Sequence, residues 1–182
     1  MRHSRRTVLS AGLGLAGAAV LRARPTRAAE ITFADDPFTL GIASGYPEPN
    51  GVVLWTRLAP QPLVPGGGMP AAPVAVDWEV GSDDALRTVV RRGTVRATPE
   101  SAHSVHVEVT GLTPARDYWY RFTSGGARSA VGRTRTAPAS GTLPNRLTLA
   151  VASCQHFQQG HYAAYRGIAA DAPDVGRDGG GH

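Results

Sequence analysis

Polar and apolar residues alternate one by one in several short segments of the chain. Residues 74–80, 105–109 and 118–122 place valine or aromatic side chains at every second position. A period of two predicts β-strands with one buried face and one solvated face. Residues 51–58, 86–98 and 127–136 are further strand candidates, although their alternation is weaker.

Clusters of glycine, proline, aspartate and serine separate these segments, as at residues 47–51, 65–68, 81–84 and 124–126. About seven short strands within about 100 residues are typical of an antiparallel β-sandwich. We therefore predict a mainly-β domain over residues 36–138. Trp78, Val107, Tyr118 and Tyr120 are expected to be buried in it.

The stretch from Gly111 to Tyr118 predicts a particular corner of that sandwich. It has a leucine, a proline and then a tyrosine just before a strand, as at the E–F corner of fibronectin type III-like domains. There a tyrosine hydroxyl bonds to the backbone a few residues upstream. Tyr118 is the candidate, and the alternative is a core aromatic without that bond.

The pattern changes after a linker at residues 137–145, which is rich in alanine, proline and glycine. Residues 147–152 form a nearly continuous apolar run, typical of a strand buried on both faces. Residues 160–170 favour a helix with Tyr162, Tyr165 and Ile168 near one face. We interpret residues 146–182 as the truncated start of an α/β domain, and the glycine-rich residues 176–182 as no core element.

The basic residues are concentrated at the N-terminus. All 19 are arginine, and six of them precede residue 29, where no acid occurs; the remainder has 13 arginines and 14 acids. Arg5 and Arg6 followed by an apolar stretch are typical of a twin-arginine export signal, predicted here over residues 1–28. The alternatives are a short membrane anchor or a basic N-terminus without a function.

Four expectations follow from the predicted signal, the charge distribution and the lengths of the apolar runs. The twin-arginine translocase is the predicted export partner, and the protein is placed outside the cytoplasm or in the cell envelope. A nucleic-acid partner is not expected, because the charge is not clustered in the folded part. The mature chain has no apolar run of membrane-spanning length, so no membrane span is expected.

Candidate chemistry is confined to the end of the apolar run at residues 147–152. Cys154, the only cysteine, follows it and is flanked by serine and glutamine, with His156 next. A thiolate at a strand end can bind a metal, but a buried cysteine also acts as a small hydrophobe. Zinc held by Cys154, His156 and His161 would lack a convincing fourth ligand. His103 and His106 are predicted to point to opposite faces of a strand, which disfavours a shared metal.

Five motifs follow one another along the chain: residues 38–45 (FTLGIASG), 51–58 (GVVLWTRL), 118–122 (YWYRF), 132–136 (GRTRT) and 152–155 (ASCQ). In this order they resemble the PhoD family of secreted alkaline phosphatases and phosphodiesterases. The resemblance runs from about Phe38 to Asp174, and Tyr46 departs from it where the family usually has aspartate.

This resemblance implies a fibronectin-like N-terminal β-sandwich followed by a metallophosphoesterase domain with an iron and calcium site. The family's Ser-Cys-Gln cysteine is an iron ligand, so Cys154 is the one metal ligand carried over, and no catalytic residue is assigned. The family motif Gly-Asp-x-x-Tyr-Glu, expected soon after Asp174, is absent.

The expected function is therefore that of the N-terminal fragment of an exported phosphoesterase. Phosphate esters would be substrates of the full-length enzyme only, and the isolated chain is expected to be inactive and to bind no metal stably. The alternative is a free-standing fibronectin-like binding module of the cell envelope.

Overall fold

The strands lie where polar and apolar residues alternate, and the turns lie at the glycine and proline clusters. A computed structural model describes residues 31–153 and 161–178. Its elements in chain order are β1 (Ile42–Glu48), β2 (Gly51–Arg57), β3 (Val74–Gly81), β4 (Val89–Ala97), β5 (Ser104–Thr110), β6 (Asp117–Ser124), β7 (Ala127–Arg128), β8 (Gly132–Arg135), β9 (Leu149–Ala152), α1 (Ala163–Asp171) and β10 (Val175–Asp178). Short 3₁₀ turns occupy Pro65–Gly68 and Pro99–Ser101.

The first eight strands form two antiparallel sheets. The first has the order β1-β2-β5, and the second has the order β4-β3-β6, with β7 and β8 both pairing with β6. This arrangement is a fibronectin type III-like sandwich, in agreement with the fold class predicted from the alternation.

The core lies between the two sheets and is built from the apolar side of each alternating strand. Leu54, Val76, Val80 and Phe122 are completely buried. Val107, Tyr118 and Tyr120 are buried as predicted, but Trp78 is only partly buried and packs against the edge of the core. Its neighbour across the β3–β4 pair is Gly93, which has no side chain to cover the indole ring.

The predicted tyrosine corner is confirmed by a hydrogen bond. The backbone N–H of Thr113 donates to the hydroxyl of Tyr118 at 2.9 Å, and Tyr118 is 3% exposed. The buried hydroxyl of Thr136 donates to the carbonyl of Thr113 at 2.7 Å and accepts from the N–H of Arg116 at 3.1 Å. Two side-chain hydroxyls therefore hold the loop that precedes β6.

The start of the linker is attached to the sandwich at Ala137. Its N–H donates to the carbonyl of Glu48 on β1 at 3.1 Å, and its carbonyl accepts from the N–H of Ala115 at 2.9 Å. Residues 139–147 that follow are exposed. The sandwich thus ends at a fixed point, and the exposed part of the linker begins just after it.

After the linker, β9, α1 and β10 form a strand–helix–strand unit in which the two strands are parallel. The helix was predicted at residues 160–170 and is observed at Ala163–Asp171. Residues 176–182 were expected to form no core element; residues 176–178 belong to β10, which pairs with β9 but is exposed at Val175 and Gly176. Pairing here needs only backbone groups, and it begins where the Asp174 carboxylate accepts from the N–H of Thr148 at 2.9 Å.

The β9 strand is not buried. Leu149 is 59% exposed and Val151 is 75% exposed, and α1 contains no buried residue. A two-stranded sheet has too few neighbours to cover its apolar side chains. Among residues 31–153 and 161–178, no helix is long and apolar enough to cross a membrane.

Candidate metal centre

The carboxyl ends of β9 and β10 meet at one edge of the small parallel sheet. Ala152 is opposite Asp178 in the register, and Ser153 follows β9 directly. Ligands in open α/β sheets bind at this edge, so the sequence places Cys154 immediately beyond a strand end of the appropriate kind. Cys154 and His156 themselves lie outside the described residues, and their role as ligands stays a prediction.

The described residues near this edge do not form a metal site. His161 is exposed and precedes α1. Within residues 31–153 and 161–178, no group of three or more histidine, cysteine, aspartate or glutamate side chains is placed to hold a metal ion. The described residues therefore do not provide a ligand set that fits iron and calcium.

The two other histidines considered as ligands, His103 and His106, lie in different environments. His103 precedes β5 and is 3% exposed, whereas His106 lies on β5 and is exposed. The His103 Nε2 lies 3.1 Å from the carbonyl oxygen of Pro70, so Nε2 is the protonated nitrogen, because a carbonyl only accepts. His103 thus ties the loop before β3 to the start of β5, which is a structural role.

The ionisable groups with shifted pKa values lie in the sandwich. Two backbone N–H groups, of Arg87 and Thr88, donate to the Asp83 carboxylate and lower its pKa. Burial raises the pKa of the Tyr120 phenol above its ordinary value of 10.0. None of these groups lies at the edge formed by β9 and β10.

A polar groove on the outer face of the second sheet was not recognised from the sequence. It has a volume of about 480 Å³, and Glu79, Arg92, Arg121 and Arg128 are among its lining residues. The Arg121 Nε donates to the Glu79 Oε1 at 3.0 Å on its floor. The signal was present as arginines at the outward positions of three strands, but only the strand register brings them together.

The fold, together with the place of Cys154 in the sequence just after β9, defines the class of protein. It is a fibronectin-like β-sandwich joined by a short linker to a parallel strand–helix–strand unit. The model of the PhoD-like phosphatase N-terminal domain matches residues 23–138, which is more than half of the chain. The chain therefore belongs to the PhoD-like phosphatase family.

Two relatives give the extent of the similarity. Alkaline phosphatase D of Bacillus subtilis (strain 168) is 49% identical over 170 residues, which cover 92% of this chain and 28% of that protein. A solved structure of PhoD superposes with a TM-score of 0.79 and 50% identity, covering 81% of this chain and 28% of that chain. The chain thus spans little more than a quarter of the length of these relatives.

Proposed function

We propose that this chain is the N-terminal portion of an exported, metal-dependent PhoD-like phosphoesterase. The observation that carries the proposal is the 49% identity with alkaline phosphatase D across 92% of the chain. The matched family model ends at residue 138, at the end of the sandwich. The sequence identity with alkaline phosphatase D covers 92% of the chain and so continues beyond that residue. The protein would act on phosphate esters outside the cytoplasm when joined to a catalytic portion.

Within that protein the sandwich and the β9–α1–β10 unit have different roles. The sandwich has its own core, whose members all lie between residues 31 and 127. The β9–α1–β10 unit exposes apolar side chains that further strands of an α/β sheet would cover. Cys154, just after β9, would contribute one ligand to an iron, and the remaining ligands would come from other parts of the protein.

An exchange experiment tests this proposal. Residues 31–178 of this chain would replace the matching portion of the Bacillus subtilis alkaline phosphatase D, and hydrolysis of a chromogenic phosphate ester would be measured. We expect the hybrid to retain activity, because the replaced strands have equivalent positions. The same hybrid with Cys154→Ala should lose most of its activity while its sandwich still unfolds at the same temperature.

A stable, well-folded hybrid without activity would contradict the proposal, and so would full activity in the Cys154→Ala hybrid. The chain by itself, supplied with iron and calcium, should give no turnover above the metal-only background. One thiolate does not hold a catalytic ion against water and competing ligands. Turnover by the isolated chain that requires Cys154 would show that the fragment assembles a site.

The free-standing binding module is the second candidate function. Only the self-contained core of the sandwich favours it. A binding module has no need of an apolar parallel strand pair after the linker. The exchange experiment separates the two, because a module unrelated to catalysis would not support hydrolysis in the hybrid.

A further inference from the structure

The arginines of the sandwich are unevenly distributed over its surface. On β3 and β6, Val76, Val80, Tyr118 and Tyr120 point into the core, so the residues that alternate with them point outward. The residues directly opposite those outward positions on neighbouring strands also point outward. The outward positions of the second sheet hold six arginines and three acids, which we call the arginine face: Arg92, Arg96, Arg121, Arg128, Arg133, Arg135, Asp77, Glu79 and Asp117.

This face is positive although the domain as a whole is neutral. Residues 31–138 contain equal numbers of arginines and acids, so the excess on the arginine face is matched by an acidic excess elsewhere. On the outer face of the first sheet, β2 and β5 present one arginine and one glutamate, Arg57 and Glu108. The sandwich therefore has one basic side.

The acids on the arginine face are already engaged. Glu79 accepts from Arg121, Asp77 accepts from the hydroxyl of Thr94 at 2.6 Å, and Asp117 lies between two arginines at 3.7 and 3.6 Å. Among the described residues, Arg92, Arg96 and Arg128 form no side-chain ion pair. Their guanidinium groups are exposed and available to an external anion.

The arginines are spread in two dimensions. Neighbouring strands lie about 4.8 Å apart, so β4 and β8 are separated by roughly 14 Å across the sheet. Arg92 and Arg96 are four residues apart on β4, or roughly 13 Å along the strand. Such an array matches a plane of phosphates better than a single ion. Among the described residues, Trp119 is the one aromatic residue at an outward strand position of this sheet, and Trp78 also lines the groove. Two aromatic residues are too few for stacking with successive nucleobases.

The N-terminal segment joins the sandwich beside this face. Ile31 lines a cavity of about 580 Å³ together with Asp77 and Thr123, which also line the groove on the arginine face. The 30 residues before it include six arginines, no acid before Glu30, and an apolar stretch at residues 8–21. While the predicted export signal is still attached, a chain held at a membrane by that stretch would reach the sandwich next to its basic side.

We propose that the arginine face docks the sandwich onto the surface of a membrane that contains anionic lipids. Guanidinium groups pair with lipid phosphates through two N–H groups each. The attraction is electrostatic and is reduced by salt within a Debye length. This interaction does not depend on hydrolysis and therefore stands or falls separately from the phosphoesterase proposal.

Co-sedimentation of the full chain with lipid vesicles tests the proposal. Vesicles of phosphatidylcholine alone are compared with vesicles of equal parts phosphatidylcholine and phosphatidylglycerol. The test variant is Arg92→Gln with Arg128→Gln, and the control is Arg87→Gln with Arg146→Gln. Both pairs lose two positive charges from exposed positions, but only the first pair lies on the arginine face.

The test variant should bind the anionic vesicles about 30-fold more weakly than the original chain, since a basic residue near such a surface contributes about 1 kcal/mol. The control should bind like the original chain, and Arg92→Lys with Arg128→Lys should retain most of the binding. The N-terminal segment is identical in every variant, so the difference reports the face alone. Equal losses in the test and control variants would overturn the proposal, as would equal binding to both kinds of vesicle.

Discussion

Replacing Tyr118 with phenylalanine removes one hydroxyl and leaves the buried ring in place. That hydroxyl accepts the N–H of Thr113 at 2.9 Å. Phenylalanine keeps the aromatic ring that packs in the core and keeps the contact with the Arg116 guanidinium, which lies 5.8 Å from the ring centre. The substitution therefore isolates the contribution of the corner hydrogen bond.

The size of the effect follows from what happens to the N–H of Thr113. Thr113 is an exposed residue, so water can partly replace the lost acceptor. We expect a loss of about 1 kcal/mol in the free energy of unfolding, in the middle of the range for a protein hydrogen bond. For a domain of about 100 residues this lowers the melting temperature by about 4–8 °C.

Thermal unfolding followed by near-ultraviolet circular dichroism measures the change. Tyr46→Phe is the matched control, because Tyr46 is 84% exposed and loses the same atom. The control should melt like the original chain. If the Tyr118→Phe variant melts no lower than the control, the corner bond has no net value and the reasoning is refuted.

Three further predictions concern other parts of the chain. A Cβ atom at Gly93 would lie 2.7 Å from the Trp78 ring, so Gly93→Ala should lower the free energy of unfolding by about 1–3 kcal/mol in a denaturant titration; an unchanged midpoint would contradict this. Burial raises the pKa of Tyr120 in the folded state, so the contribution of Tyr120 to the free energy of unfolding is complete below pH 10.0 and is lost as the pH rises through the folded pKa. Tyr120→Phe should therefore reduce the loss of stability in alkali. An alkaline unfolding profile identical to that of the original chain would argue against this prediction. Replacing Arg5 and Arg6 with lysine should stop export of a reporter fused after Ala29, whereas undiminished export would indicate the general secretory route.

Strands with regular alternation could be predicted from the sequence, and the weaker candidates at residues 51–58 and 86–98 also contain strands, β2 and β4, whereas β1 and β10 were not predicted. β3, β5 and β6 each bury one side, so their valines and aromatics show a period of two. β1 was missed because it is exposed on nearly all of its length and has no apolar alternation. The segment at residues 127–136 was predicted as one strand but forms β7 and β8, which both pair with β6.

Of the candidate metal site, only one position, Cys154, could be predicted from the sequence. The apolar run before Cys154 indicated a strand end, and β9 ends one residue before Ser153. A metal centre needs ligands from several segments, and their assembly depends on tertiary contacts that no local pattern encodes. The arginine face shows the same limit, because its members lie on five strands and their common orientation follows from the register.

The attachment of Ala137 has a consequence for whatever follows the sandwich. Since both its N–H and its carbonyl are bonded to the sandwich, the free tether is only the roughly ten residues before β9, which reach at most about 35 Å when fully extended. A partner on so short a tether experiences an effective concentration in the millimolar range. A contact between the sandwich and the following unit whose dissociation constant lies below that range would then be occupied most of the time, without any evolved high affinity.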